Sequence, residues 1–126
     1  MQYVWVGIGG ALGSVLRFLM QSWVQFGHTG PFPIGTLAVN LLGSAIVGFL
    51  GGLFEIYPGS TGVRTFLMVG VLGGFTTFSA FSLGNLTLIR AGQGRTALLY
   101  ILASNALGIG LAFLGYFLAR FLLRAR

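Results

Sequence analysis

Residues 63–89 read VRTFLMVGVLGGFTTFSAFSLGNLTLI. The run is long enough to cross a bilayer, for which roughly 20 apolar residues suffice. Its middle, GGFTTFSAFS at residues 73–82, is unlike a plain lipid-facing helix. Two adjacent glycines followed by two threonines can interrupt a helix, freeing backbone carbonyls before the break and amides after it. Unwound backbone at membrane depth is tolerated only where protein buries it or water reaches it. The stretch therefore predicts a membrane helix broken near its centre and restarting after Thr76. Freed carbonyls suit a cation, and the restarting helix turns amide donors towards an anion.

Working outward, further apolar runs extend from Tyr3 to Phe26, from Ile34 to Phe54 and from Thr96 to Leu118, separated by the turn-rich GHTGPFP, EIYPGSTG and RAGQGR. Four spans (3–26, 34–54, 63–89 and 96–118) nearly exhaust the 126 residues and predict a single, all-α transmembrane domain with both termini on one side. Composition agrees: 56% of residues are hydrophobic and 6% charged, against about 25% charged in a soluble domain. The start, MQYVWVGIGGALGSV, lacks the positive n-region of a secretory signal and reads as part of the first span.

The net charge of +6 comes from seven arginines and one glutamate. Arg17, Arg64, Arg90, Arg95, Arg120, Arg124 and Arg126 are scattered along a hydrophobic chain, which argues against nucleic-acid binding. With both termini in the cytoplasm, Arg64, Arg120, Arg124 and Arg126 lie inside, and Arg90 and Arg95 outside. The N-terminus and first loop contribute no Lys or Arg, so the orientation instruction is weak and leaves open both a fixed orientation and insertion in both directions followed by antiparallel pairing. Small residues at helix-packing intervals (Gly9 and Gly13, Gly48 and Gly52, Gly70 and Gly74, Ser104 and Gly108) point to close contact within the chain or across a dimer.

Polar groups left unpaired in hydrocarbon cost several kcal/mol, so polar residues inside spans are the candidates for function. Thr36, Asn40 and Ser44 form one stripe on the second span, fit either for interhelical hydrogen bonds or for presenting the Asn40 amide to an anion or carbonyl. After the break, Phe78, Phe81 and Asn85 share one face, and Ser79 and Ser82 an adjacent one. Phenylalanines at this spacing serve packing. Their electropositive ring edges also offer an anion a path between hydroxyl and amide donors, without a fixed cation to trap it. Tyr100, Ser104 and Gly108 on the fourth span, with Asn105 beside them, are placed to line the same path. Arg17 fits an orienting or structural hydrogen-bonding role near the headgroups, or anion attraction at a vestibule.

Catalysis finds no support: there is no cysteine or aspartate, one histidine (His28), one glutamate, and neither a carboxylate pair nor a phosphate-cradling GxxxxGK[ST]. Two other readings compete with conduction. A small proton-coupled multidrug exporter needs a membrane-embedded acid, for which Glu55, beside a turn, is the sole candidate. A non-transporting scaffold leaves GGFTTFSAFS unexplained.

The chain resembles the Fluc fluoride channel family, also called CrcB, over essentially its whole length. The resemblance rests on GSVLR in the first span, GTLAVNLLG in the second, GGFTTFSAFS in the third and TALLYILASNALG in the fourth. It implies passive export of fluoride across a bacterial inner membrane, without catalysis. It also implies an antiparallel, dual-topology dimer with two pores, formed by two copies or with a homologous chain. The family's pore phenylalanines match Phe78 and Phe81 and its pore asparagine Asn40. Thr77, Ser79, Ser82, Tyr100 and Ser104 fall along the implied anion pathway. A structural sodium at the dimer interface falls on backbone carbonyls of Gly73 and Thr76. Where family members often carry threonine and glutamate, this chain has Ala80 and Gly84, which thins the polar track.

Overall fold

The computed structural model describes residues 1–124; Arg126, counted above with the C-terminal arginines, lies outside them. Four spans long and apolar enough to cross a membrane follow one another: Gln2–Phe26, Ile34–Ile56, Thr61–Arg90 and Gly94–Arg124. The described residues contain no strand. The protein is a multi-pass, all-helical membrane protein. The second helix starts behind Pro33, where a missing N–H costs nothing because first-turn amides have no helical partner. The fourth continues beyond the apolar run to Arg124; its 31 residues reach about 46 Å at 1.5 Å per residue. That exceeds the hydrocarbon thickness of about 30 Å, so its last turns carry Arg120 and Arg124 towards the headgroups.

The second helix lies mainly along the fourth, and the first along the first half of the third span. The glycine pairs form these seams. A Cβ on Gly9 would sit 2.7 Å from the Phe66 carbonyl oxygen and 2.9 Å from Gly70 Cα, and one on Gly52 2.7 Å from the Tyr116 carbonyl oxygen. On Gly48 or Gly115 it would run into the backbone of Ala112 or Ala45. Small-residue contacts of this kind replace the hydrophobic driving force that is missing between helices in lipid.

The third span departs from a regular helix twice. Residues Thr65–Val71 form a π-helix, closed where the Leu72 amide donates to the Leu67 carbonyl. This widened turn lies where Gly9 and Gly70 bring two backbones together. The break itself falls on Thr76 (φ −80°, ψ 155°) and Thr77 (φ −150°, ψ 113°), while Gly73 and Gly74 stay helical in Leu72–Phe75. The helix restarts at Phe78, one residue later than the sequence suggests. β-Branched residues suit extended backbone, so the threonines carry the interruption. Gly74 serves packing instead: its Cβ would lie 2.5 Å from the Gly10 carbonyl oxygen.

Candidate ion pathway

The break is held by one side chain. Thr77 N donates to Asn40 Oδ1 at 2.8 Å, and Asn40 Nδ2 donates to the Thr77 carbonyl at 3.0 Å. The carboxamide thus pairs with Thr77 as a neighbouring strand would, and keeps one N–H unused. Thr77 also caps the second half-helix: its Oγ1 accepts from Ala80 N at 3.2 Å and lies 3.2 Å from Ser79 Oγ. Thr76 Oγ1 donates back to the Leu72 carbonyl at 2.9 Å. Because the Thr77 amide turns to Asn40, the Gly73 carbonyl loses the donor that a continuous helix would supply.

A cavity of about 380 Å³ opens on this break. The second helix contributes Asn40, Gly43, Ser44 and Val47, and the third span Met68, Leu72, Gly73, Thr76, Thr77, Phe78 and Phe81. Ser104 and Asn105 come from the fourth helix. Gly43 is needed for this closure, since a Cβ there would collide with the Thr76 methyl. None of the lining side chains is formally charged. The field comes from two helix ends: the negative C-terminus of Leu72–Phe75 and the positive N-terminus of Phe78–Arg90. The Ser104 hydroxyl is buried and has no partner among the described residues. The chemistry available is that of neutral donors, carbonyl oxygens and ring edges, suited to holding a small ion loosely.

Of the residues expected on an anion pathway, Asn40, Thr77, Phe78, Phe81 and Ser104 come together at this cavity, as do Gly73 and Thr76. Ser79 touches it only through Thr77, and Ser82 faces outward. Tyr100 lies behind Phe81, their centroids 5.2 Å apart, and is wholly buried with its hydroxyl unpartnered among the described residues. Thr36 lies outside the cavity lining, and Gln21 Nε2 donates to its Oγ1 at 2.6 Å. Arg17 is half-buried on the first helix, outside the cavity lining. Gly43, Val47, Met68 and Leu72 are not singled out by the sequence. The three apolar residues carry no signal, and Gly43 is marked only by lying between Asn40 and Ser44.

At the end of the bundle, Glu55 accepts from Arg120 at 3.0 Å and from the Tyr116 hydroxyl at 2.7 Å, and is itself exposed. The described residues contain no cluster of three or more His, Cys, Asp or Glu able to hold a metal. Oxygen ligands at the break would come from backbone and hydroxyls.

The family model of CrcB-like protein, Camphor Resistance (CrcB), matches residues 4–116. A fluoride-specific ion channel FluC of Parabacteroides distasonis is 47% identical over 113 residues, covering 90% of this chain and 88% of that protein. Proteins of the same name from Rhizobium meliloti and Thermus thermophilus are each 49% identical. The first alignment covers 95% of this chain and 94% of the relative, the second 91% of each. Four membrane-crossing helices and a family match over most of the length agree, and the chain belongs to the CrcB family.

Proposed function

We propose that this chain is a fluoride-selective channel subunit of the bacterial inner membrane, letting fluoride leave the cytoplasm down its electrochemical gradient. The function its relatives are named for supports the choice of ion. The observation that carries the mechanism is the uncharged cavity at the Asn40–Thr77 pair, placed between two opposed helix ends. Hydrogen fluoride crosses membranes as a neutral acid and ionises inside a cell whose surroundings are more acidic, so a passive path suffices. The free Asn40 N–H and the hydroxyls of Thr77 and Ser104, joined on the outward face by those of Ser79 and Ser82, replace hydration water, and the edges of Phe78 and Phe81 carry the anion between them. Arg17 holds a structural place near the headgroups or draws anions to a vestibule.

The pathway is completed by a second copy, or by a homologous chain, in antiparallel orientation. Phe78 is 79% exposed, and Gly73, Ser79 and Ser82 are exposed beside it. Broken backbone cannot face lipid, so protein covers this face in the assembled channel. The carbonyls of Gly73 and Thr76 fit a structural sodium there, because unwound backbone and a half-helix C-terminus suit a monovalent cation. Bound sodium would supply a fixed positive charge that ties two breaks together. A proton-coupled exporter gains nothing from Glu55, which is exposed and ion-paired.

Ion efflux from liposomes under a potassium gradient with valinomycin, in sodium, tests the reading. Fluoride efflux without chloride efflux is expected, and equal efflux of both would overturn selectivity. Phe81→Ile is expected to abolish fluoride flux, and full flux in that variant would count against the ring-edge path.

A further inference from the structure

The loop before the second helix holds Pro31, Phe32 and Pro33, which line no part of the cavity. A residue before proline is confined to extended backbone, and proline fixes its own φ. Pro33 adopts φ −80° and ψ 65° at the helix start, with its carbonyl accepting from Leu37 N at 3.1 Å. The Phe32 carbonyl accepts from Ile34 N at 2.8 Å. Phe32 therefore stands on a backbone with little freedom. Its ring meets Tyr100 edge-on, with centroids 5.3 Å apart and planes at 74°. Tyr100 in turn lies 5.2 Å from Phe81 at 48°. Leu88 and Ala97, almost fully buried, close this cluster. On the cavity side Phe81 has Phe78 at 5.5 Å, too exposed to hold it. A Cβ on Gly84 would lie 3.1 Å from Pro33 Cγ and 3.4 Å from Tyr100 Cε1, so the same loop also rests on the third span one turn past Phe81.

We infer that the Pro31–Phe32–Pro33 loop is a rigid bracket that sets the tilt of the Phe81 ring through Tyr100, making Phe32 a positioning residue for anion selectivity. The inference rests on the channel reading. A ring attracts an anion at its edge and repels it at its face, so a change of tilt alters selectivity without removing any group from the path. The bracket also accounts for Gly84. A larger side chain there would push Pro33 and Tyr100 apart.

The test compares fluoride and chloride efflux for Phe32→Ala, Phe32→Leu, Phe32→Tyr and Phe66→Ala. The last removes a ring that packs on Trp5, away from the cavity. Phe32→Ala is expected to lower the fluoride-to-chloride ratio about tenfold, the scale of one lost aromatic pair. Phe32→Leu, which keeps part of the apolar volume without a ring, should fall between, while Phe32→Tyr and Phe66→Ala retain the native ratio. A second readout is the fluorine resonance of 4-fluorophenylalanine placed at position 81, which should broaden or split in Phe32→Ala. An unchanged ratio together with an unchanged resonance overturns the bracket. If the native protein conducts neither anion, alone or together with a homologous chain, the channel reading fails, and the resonance alone decides whether Phe32 orders Phe81.

Discussion

Asn40 combines two tasks that are usually separate. It satisfies both backbone groups of Thr77, and it presents its remaining N–H to the cavity. Asn40→Ala would leave a buried donor and acceptor unpaired at membrane depth, each costing about 1–3 kcal/mol. The variant is expected to lose fluoride flux and also thermal stability, read as loss of the native elution peak after heating. At the neighbouring cap, Thr77→Ala removes the acceptor for Ala80 N, at about 0.5–2 kcal/mol for such caps, whereas Thr77→Ser keeps it. The expected order of melting temperatures is native, Thr77→Ser, Thr77→Ala, and a Thr77→Ala melting point equal to native would refute the capping role. The asparagine was legible as one member of a polar stripe. Its partner was not, because 37 residues separate Asn40 from Thr77.

At the scale of elements, the helices are held by backbones in contact. Gly48 and Gly115 meet the carbonyls of Ala112 and Ala45, neither of which can turn aside as a flexible side chain would. Gly48→Ala and Gly115→Ala are therefore expected to destabilise the fold by about 1–3 kcal/mol, as overpacking does. Gly110→Ala, whose Cβ meets nothing within 4 Å, should be neutral or slightly stabilising through helix propensity. Thermal unfolding in detergent separates these outcomes. The spacing of these glycines announces close packing, yet spacing cannot say which helix each one meets. Nor does any residue pattern announce the π-helix at Thr65–Val71, since its hydrogen bonds are set by what the first helix brings against it.

For the molecule as a whole, the second half of the third span leaves one face uncovered. It rests mainly on the fourth helix, and Phe78, Leu83, Leu86 and Ile89 are exposed. An antiparallel pair of two copies predicts that tags on either terminus are detected on both sides of the membrane in one population of cells. Labelling on a single side would refute dual insertion. The Glu55–Arg120 pair joins the ends of the second and fourth helices. Exposed pairs contribute about 0–1 kcal/mol, so Glu55→Gln should leave fluoride flux intact and reveal no coupled proton movement.

The sequence by itself determined the class of this protein. Four apolar runs and so few charges leave only a membrane-spanning helical bundle, because hydrocarbon admits no other backbone arrangement short of a closed barrel. It also located the interruption in GGFTTFSAFS and the polar residues near it. Only the tertiary structure decided that threonines rather than glycines carry the break, that Thr36 bonds to Gln21 and away from the cavity, and that Tyr100 stands behind Phe81 under the Phe32 bracket. Hydropathy and spacing are properties of one helix taken alone. Which polar group finds which partner depends on the seams between helices, where glycine contacts set the register to within a side chain.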